Sequence, residues 1–106
     1  MESNYTSSIA VAILIVSTDN KVPLVRDPKK PAPIYWKLPG GKGEPKENAE
    51  TAAQREVKEE LGIAISPHLV YKEDRKHHTF YLFKGSVSSL ESMHTQGNEG
   101  EEIGVF

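Results

Sequence analysis

The segment from Gly41 to Ile63 constrains the fold of this chain more than any other part, because it joins a glycine-rich turn to an acidic helix. It reads GKGEPKENAETAAQREVKEELGI. Residues 48–61 contain no Gly or Pro and are rich in Ala, Glu, Gln, Lys and Arg, which favour an α-helix. Asn48 is a suitable N-cap, and Gly62 is a suitable stop. The segment therefore predicts a helix over residues 48–61 that the chain enters from a glycine-rich loop.

One face of the predicted helix combines apolar residues with a carboxylate. Four small or aliphatic residues at four-residue spacing form a narrow stripe, at about 100° per residue: Ala49, Ala53, Val57 and Leu61. Glu60 falls between Ala49 and Ala53 on the helical wheel, inside this stripe. A buried, ionised Glu is destabilising by several kcal/mol unless it is paired or bound to a metal ion. The pattern therefore predicts a covering layer for the stripe and a partner for the Glu60 carboxylate.

Three carboxylates on this helix are predicted to bind divalent cations. Glu56 is a surface neighbour of Glu60, four positions on, and of Glu59, three positions on. Adjacent carboxylates repel one another, and a divalent cation removes both this repulsion and the cost of burying Glu60. Oxygen ligands suit Mg²⁺ or Mn²⁺, which share their coordination with the phosphates of a substrate. The alternative is a solvated charge run, the ordinary interpretation of a Glu-rich helix; the position of Glu60 in the stripe favours the metal site.

The loop before the helix, residues 38–47, carries glycines at Gly40, Gly41 and Gly43. Glycines let a backbone approach a ligand closely, with carbonyls toward a cation and amides toward phosphate oxygens. Taken alone, such a loop is more simply a plain turn. Because it leads into the acidic helix, we interpret it as half of a metal-phosphate site.

Arg55 lies within reach of three carboxylates on or near the predicted helix. Glu59 follows it by four positions, Glu56 is adjacent, and Glu47 precedes the helix. The alternative is an ordinary surface ion pair, which stabilises a protein very little. We favour a supporting role, in which Arg55 orients the carboxylates and keeps them ionised.

The same residues closely resemble the Nudix box, which is a glycine, five residues, Glu, seven residues, then Arg-Glu-aliphatic-x-Glu-Glu-x-Gly-aliphatic. All of its specified positions are met between Gly41 and Ile63. At ordinary residue frequencies, a random window matches about once in 10⁹. The lead-in WKLPGG at residues 36–41 and the order of predicted elements also resemble the Nudix hydrolases. The resemblance covers most of the chain, but only residues 41–63 carry the highly specific motif.

The resemblance implies an α/β (α+β) fold, a Nudix-type α/β/α sandwich with a mixed β-sheet, and a diphosphate-hydrolysing activity. It implies that Glu56, Glu59 and Glu60 hold the cations together with the backbone carbonyl of Gly40. Glu47 and Arg55 then form the supporting salt bridge. The implied cofactor is Mg²⁺, with Mn²⁺ as a substitute, and a bound water attacks one phosphorus. The implied catalytic set is Glu56, Glu59, Arg55 and Glu99.

The general base is left open by this resemblance. Many family members use a Glu outside the box, and Glu99 falls in a suitable loop. Glu101 and Glu102 compete with it, and a solvated acidic loop is the alternative for all three. Glu59 is a further possibility, since the family varies at this point.

The substrate class is a nucleoside diphosphate linked to another moiety: a nucleoside triphosphate, a dinucleoside polyphosphate or a nucleotide sugar. The predicted substrate-binding residues are Arg26, Gly41, Lys42 and Tyr81. Tyr81 stands where the dinucleoside polyphosphate subgroup has a tyrosine, and His78 replaces the proline of many ADP-ribose pyrophosphatases. Surface charge and core aromatics are the ordinary alternatives for these side chains. A non-catalytic nucleotide-sensing module on the same fold is the second functional hypothesis.

Charge and hydropathy exclude several other classes. The net charge of −2 argues against nucleic acid or an acidic membrane surface as a partner. The absence of Cys excludes disulfides, thiolate metal sites and a cysteine nucleophile. The longest apolar run, Ile9–Val16, is too short to span a bilayer and lacks the charged segment that precedes a signal peptide. We therefore predict a single cytoplasmic domain over residues 1–106.

The remaining segments predict strands, with polar turns between them. These strands cover residues 9–16, 21–26, 34–38, 63–73, 77–87 and 103–106. Family domains usually continue into a C-terminal helix over the second face of the sheet, and here that helix is missing. Either the chain is truncated after Phe106, or a second subunit covers the exposed apolar face, because such a face favours association. We therefore predict a homodimer or a marginal monomer.

Overall fold

The computed structural model describes residues 8–106 as a mixed sheet, a short ribbon and a single helix. The elements in chain order are β1 Ser8–Ser17, β2 Pro23–Arg26, β3 Gly40–Lys42, α1 Ala49–Leu61, β4 His68–Asp74, β5 His78–Val87 and β6 Glu102–Val105. The sheet has the order β3-β1-β5-β4, in which β1 and β5 are parallel and the other pairs antiparallel. Strands β2 and β6 form a separate antiparallel ribbon. The predicted α+β class with a mixed sheet is confirmed.

The core lies between α1 and one face of the sheet. On β1 the alternate residues Val11, Ile13 and Ile15 are buried, and Ile13 is paired with the buried Phe83 of β5. This alternation is the period-two pattern of a strand with one face packed. The opposite face of the sheet is only half-buried, for example at Leu14. No second helix covers that face in residues 8–106.

Helix α1 forms as its sequence predicts. The side chain of Asn48 accepts a hydrogen bond from the backbone N–H of Thr51, and Gly62 ends the helix in the left-handed conformation, at φ 76°. Val57 and Leu61 are fully buried against the sheet. In the described residues, no helix is long and apolar enough to cross a membrane.

Two predicted strands are wrong in part. The strand predicted at residues 34–38 is reduced to a single bridge between Lys37 and Val25, because the prolines that flank this segment, Pro33 and Pro39, cannot donate to a ladder. The strand predicted from Ile63 begins only at His68. Residues 62–67 are instead an extended connection that buries Ile63 and Ile65 in the core.

The glycine loop is also more regular than predicted, because residues 40–42 form β3 against β1. Gly40 is paired with Ala12, and its φ is 156°. A Cβ on Gly40 would overlap the carbonyl oxygen of Val11. The glycine therefore lets β3 approach β1 closely, and this approach places the loop backbone beside the acidic residues of α1.

Candidate active site

Helix α1, strand β3 and the turn before β6 enclose one polar cavity of about 360 Å³. Its lining residues are Gly40, Gly41, Lys42, Glu44, Arg55, Glu56, Glu59, Glu60, Asn98, Glu99 and Glu101. Six of these are glutamates, and only Lys42 and Arg55 are cationic. A cavity with this excess of carboxylates repels phosphate unless cations neutralise it.

Glu60 is the most buried carboxylate of the cavity, with 8% of its surface exposed. The backbone N–H of Gly40 donates a hydrogen bond to its Oε1 at 3.1 Å. Burial raises the pKa of Glu60 to about 7, and the nearby Glu56 and Glu101 act in the same direction. The hydrogen bond from Gly40 and the charge of Lys37 oppose this rise only in part. The predicted burial of Glu60 in the apolar stripe is thus observed.

The raised pKa of Glu60 predicts a pH-dependent stability when no divalent cation is present. The pKa of an unfolded Glu is about 4.5, so the folded chain binds the Glu60 proton more tightly. This contribution to stability is complete below the unfolded pKa and is lost as the pH rises through about 7. We expect the free energy of unfolding to fall by roughly 3 kcal/mol between about pH 4.5 and pH 8 from this group.

Urea unfolding in EDTA across this pH range measures the effect. The matched variant is Glu60→Gln, which keeps the acceptor for Gly40 and cannot ionise. Its free energy of unfolding should lose the downward slope that the unaltered chain shows. An identical slope in both proteins would contradict the assignment to Glu60.

Glu56 faces Gly41 across the cavity wall and is also largely buried, with 14% of its side chain exposed. Burial raises its pKa, and the neighbouring Arg55 charge lowers it. A Cβ on Gly41 would lie 2.5 Å from Oε2 of Glu56. Glycine at position 41 therefore lets the backbone of β3 and this carboxylate lie in close contact.

Arg55 joins the loop to the helix through all of its nitrogens. Its Nε and Nη2 donate to the two oxygens of Glu47 at 2.8 and 3.1 Å, and Nη2 also donates to the carbonyl of Lys42 at 3.0 Å. Nη1 donates to Glu59 at 3.1 Å and to Glu56 at 3.4 Å. The hydrogen bonds from Arg55 lower the pKa of Glu47. The predicted contacts of Arg55 with all three carboxylates are present.

The donor set of the cavity fits a hard divalent cation, because every acidic ligand is an oxygen. Among residues 8–106, however, no three His, Asp or Glu side chains lie close enough together to hold an ion as they stand. Arg55 donates a hydrogen bond to Glu59, and the backbone N–H of Gly40 donates one to Glu60. Ion binding would therefore require these carboxylates to move closer together than they lie here.

The structure brings together most of the residues that the sequence singles out, but not all of them. Gly41 and Lys42 line the acidic cavity. Arg26 instead binds Glu102 at 2.7 Å and lies 4.4 Å over the ring of Trp36, beside a different cavity. Tyr81 stacks on Phe83 with ring centroids 6.3 Å apart and lines a third cleft, near the start of α1. These two side chains therefore contribute nothing to the acidic cavity.

Two cavity residues were missed because their signals lay outside the fixed motif positions. Glu44 lines the cavity, and its backbone N–H donates to Glu47 at 2.8 Å. Asn98 lines the opposite rim. The only signal for Glu44 in the sequence is its proximity to Glu47. Nothing in the sequence indicates Asn98.

Comparison with known proteins finds one matching family model and two curated proteins of similar sequence. A family model described as NUDIX domain matches residues 6–106. A Bacillus subtilis (strain 168) protein named "Putative 8-oxo-dGTP diphosphatase" is 34% identical over 84 residues, which is 76% of this chain and 54% of that protein. The human 8-oxo-dGDP phosphatase NUDT18 is 33% identical over 66 residues, 62% of this chain and 20% of its own length. The chain thus spans about half of the first relative and a fifth of the second.

Among solved structures, one from a study of MutT of Aliivibrio salmonicida and Vibrio cholerae superposes with a TM-score of 0.79. It is 26% identical, and the match covers 95% of this chain and 80% of that one. A Nudix-family hydrolase from Clostridium perfringens superposes with a TM-score of 0.78 at 20% identity, covering 96% of this chain and 81% of that one. The described fold is therefore shared along nearly its whole length.

Proposed function

This chain belongs to the Nudix family, and on that premise we propose that it is a Mg²⁺-dependent pyrophosphohydrolase. Its substrate is a nucleoside diphosphate linked to another moiety, cleaved by water attack on phosphorus. The observation that carries this proposal is the buried Glu60 beside Glu56 and Glu59 in a cavity closed by the glycines of β3. The names of the two relatives support a nucleoside di- or triphosphate with an oxidised purine as the first substrate to test.

The cation ligands in this proposal are Glu56, Glu59, Glu60 and the backbone carbonyl of Gly40. When bound there, Mg²⁺ would neutralise phosphate oxygens and acidify a water molecule. Burial raises the pKa of Glu56 and of Glu60, because it disfavours the ionised carboxylate. A bound cation would stabilise the ionised form of both side chains, and the raised pKa values therefore support this assignment. Mn²⁺ is expected to substitute, since it takes the same oxygen donors.

The chain's own groups hold the substrate and the ligands in place. Gly41 offers a close approach to the diphosphate, and Lys42 supplies a positive charge at the same rim. Arg55 fixes the cavity wall by holding Glu47 and the Lys42 carbonyl together. The catalytic set is Glu56, Glu59, Arg55 and a proton-accepting carboxylate, for which Glu99 and Glu59 are the sequence-based candidates.

A panel of substrates tests this function. The protein is incubated with Mg²⁺ and 8-oxo-dGTP, 8-oxo-dGDP, dGTP, diadenosine tetraphosphate, ADP-ribose or UDP-glucose, and the products are separated by ion-pair chromatography. We expect turnover of at least one nucleotide that stops in EDTA. Absence of turnover across the panel, together with nucleotide binding, would instead support the non-catalytic sensing module.

A further inference from the structure

The loop after β2 and the turn before β6 meet the β2–β6 ribbon at the same end. Arg26 is the last residue of β2 and Glu102 is the first of β6, and the two are paired in the ribbon. Their side chains also bond, with Nε of Arg26 2.7 Å from Oε1 of Glu102. The loop of residues 27–33 and the turn of residues 97–101, called the 97–101 turn below, are therefore neighbours.

Lys29 connects this loop to the 97–101 turn. The backbone N–H of Lys29 donates to Oδ1 of Asp27 at 2.9 Å, and that of Lys30 donates to the Asp27 carbonyl at 3.2 Å. These two bonds hold the backbone that carries the Lys29 side chain. Nζ of Lys29 donates a hydrogen bond to the carbonyl of Glu99 at 3.0 Å. The end of the side chain also packs on Gly100, where a Cβ would lie 3.4 Å from Nζ and 3.6 Å from Cε.

The 97–101 turn forms one wall of the acidic cavity. It contributes three lining residues: Asn98, Glu99 and Glu101. Within the turn, the backbone N–H of Glu99 donates to Oε1 of Glu101 at 3.0 Å. The side chain of the preceding Gln96 donates to the Gly100 carbonyl at 3.4 Å. Among residues 8–106, Lys29 is the one residue outside residues 96–102 whose side chain donates a hydrogen bond to this turn.

The charges of the cavity push this wall outward. Four further glutamates line the cavity opposite the turn: Glu44, Glu56, Glu59 and Glu60. The charge of Glu101 contributes to the raised pKa of Glu60, which indicates that the two carboxylates repel each other. In the part of the chain that the structure describes, no hydrogen bond or ion pair joins the turn to α1 or β3. Without cations, the position of the turn therefore depends on the ribbon and on Lys29.

We propose that Lys29 is a positioning residue that holds the 97–101 turn against the acidic cavity before cations bind, an inference that rests on the proposed cation site. With the Lys29 contact in place, the cavity already has the shape that receives a cation. Without it, repulsion displaces the turn, and only the fraction of molecules with the turn in place binds a cation well. The apparent cation affinity falls in proportion to that fraction.

The charge of Lys29 by itself would have the opposite effect. A positive charge beside an acidic cavity weakens cation binding, so its removal without movement of the turn would strengthen binding. The sign of the change therefore separates the two roles. Lys30 is the matched control, because it is adjacent, equally charged and also exposed. Within residues 8–106, its side chain makes no hydrogen bond or ion pair.

The test measures Mn²⁺ affinity by electron paramagnetic resonance, in the full chain and without substrate, for Lys29→Met, Lys29→Arg and Lys30→Met. We expect Lys29→Met to bind Mn²⁺ about 3- to 10-fold more weakly, as for loss of one exposed hydrogen bond from a charged donor. Lys29→Arg can still donate to the Glu99 carbonyl, so its affinity should stay within about twofold of the unaltered chain. Lys30→Met should bind Mn²⁺ at least as tightly as the unaltered chain.

Amide hydrogen exchange in EDTA is a second readout, which needs no cation. The backbone N–H of Gly97 is bonded to the Glu101 carbonyl at 2.9 Å, and that of Gly100 to the Gly97 carbonyl at 3.1 Å. We expect both N–H groups to exchange about 3- to 10-fold faster in Lys29→Met and at the original rate in Lys30→Met.

Unchanged or tighter Mn²⁺ binding by Lys29→Met would overturn the inference, as would an equal loss of affinity in Lys30→Met. Unchanged exchange of the turn amides in Lys29→Met would overturn it as well. Any of these results, with Mn²⁺ binding and nucleotide turnover by the unaltered chain, would leave the proposed function standing. An unaltered chain that binds no Mn²⁺ would overturn both.

Discussion

Replacing Glu60 with Gln is expected to lower kcat by about 10³-fold or more, which is a loss of about 4 kcal/mol in transition-state stabilisation. The amide is nearly the same size and still accepts the hydrogen bond that Gly40 donates to Oε1. It carries no negative charge, so it is a poor ligand for a hard cation. The expected defect is therefore in cation binding and turnover, and not in folding.

The same variant should be more stable than the unaltered chain near neutral pH when no cation is present. Glu60 is 8% exposed, and its ionised form is disfavoured by burial. Opposite effects on activity and stability are the signature of a residue retained for function. The matched control is Glu50→Gln on the first turn of α1, where the side chain is exposed. Equal losses in the two variants, or full activity in Glu60→Gln, would contradict the assignment.

Replacing Arg55 with Ala is expected to have the second largest effect. It removes five hydrogen bonds and leaves the carboxylate of Glu47, with 10% of its side chain exposed, without its cation. Breaking a fully buried ion pair costs 3–5 kcal/mol; the partial exposure of Arg55 reduces this to about 2 kcal/mol. We also expect kcat to fall about 10- to 100-fold, as when a residue that orients metal ligands is lost.

Thermal unfolding and steady-state kinetics of Arg55→Ala, Arg55→Lys and Arg75→Ala measure these effects. Lysine restores the charge but cannot donate to Glu47 and the Lys42 carbonyl in the same forked geometry, so stability should recover more than kcat. Arg75 makes an exposed pair with Glu73 at 2.6 Å, and its loss should change stability by less than about 1 kcal/mol. If Arg55→Ala behaved like Arg75→Ala, Arg55 would be an ordinary surface residue.

Helix α1 and its acidic face could be predicted because their determinants are local. The caps at Asn48 and Gly62 and the spacing of Val57 and Leu61 depend only on residues within one or two helical turns. The burial of Glu60 follows from its angle on the same helix. The contacts of Arg55 with Glu59 also follow from helical spacing.

The elements that the sequence failed to predict depend on partners distant in the chain. Strand β3 forms because Gly40 and Lys42 pair with Ala12 and Ala10 on β1. The single bridge at Lys37 likewise depends on its partner Val25 on β2. No periodicity distinguishes a three-residue glycine strand from a turn. Pairing between distant segments is a property of the whole sheet and not of the segment.

The directions of side chains outside the motif could not be predicted from the sequence, for the same reason. Arg26 and Tyr81 are reasonable substrate ligands by type, and both are directed to other cavities by the strands that carry them. Glu101 lies just before β6 and Glu102 is its first residue, yet only Glu101 lines the acidic cavity, and Glu102 lines the cavity beside Arg26. This difference could not be assigned before the register of β6 with β2 was known.

The most direct test of the central claim, that Glu56, Glu59 and Glu60 hold divalent cations against β3, is anomalous diffraction from crystals grown with Mn²⁺. We predict an anomalous peak within coordination distance of these carboxylates. A control crystal of Glu60→Gln should show a weaker peak or none. Ordered density for all three carboxylates without an anomalous peak beside them, at Mn²⁺ concentrations that support turnover, would contradict the account.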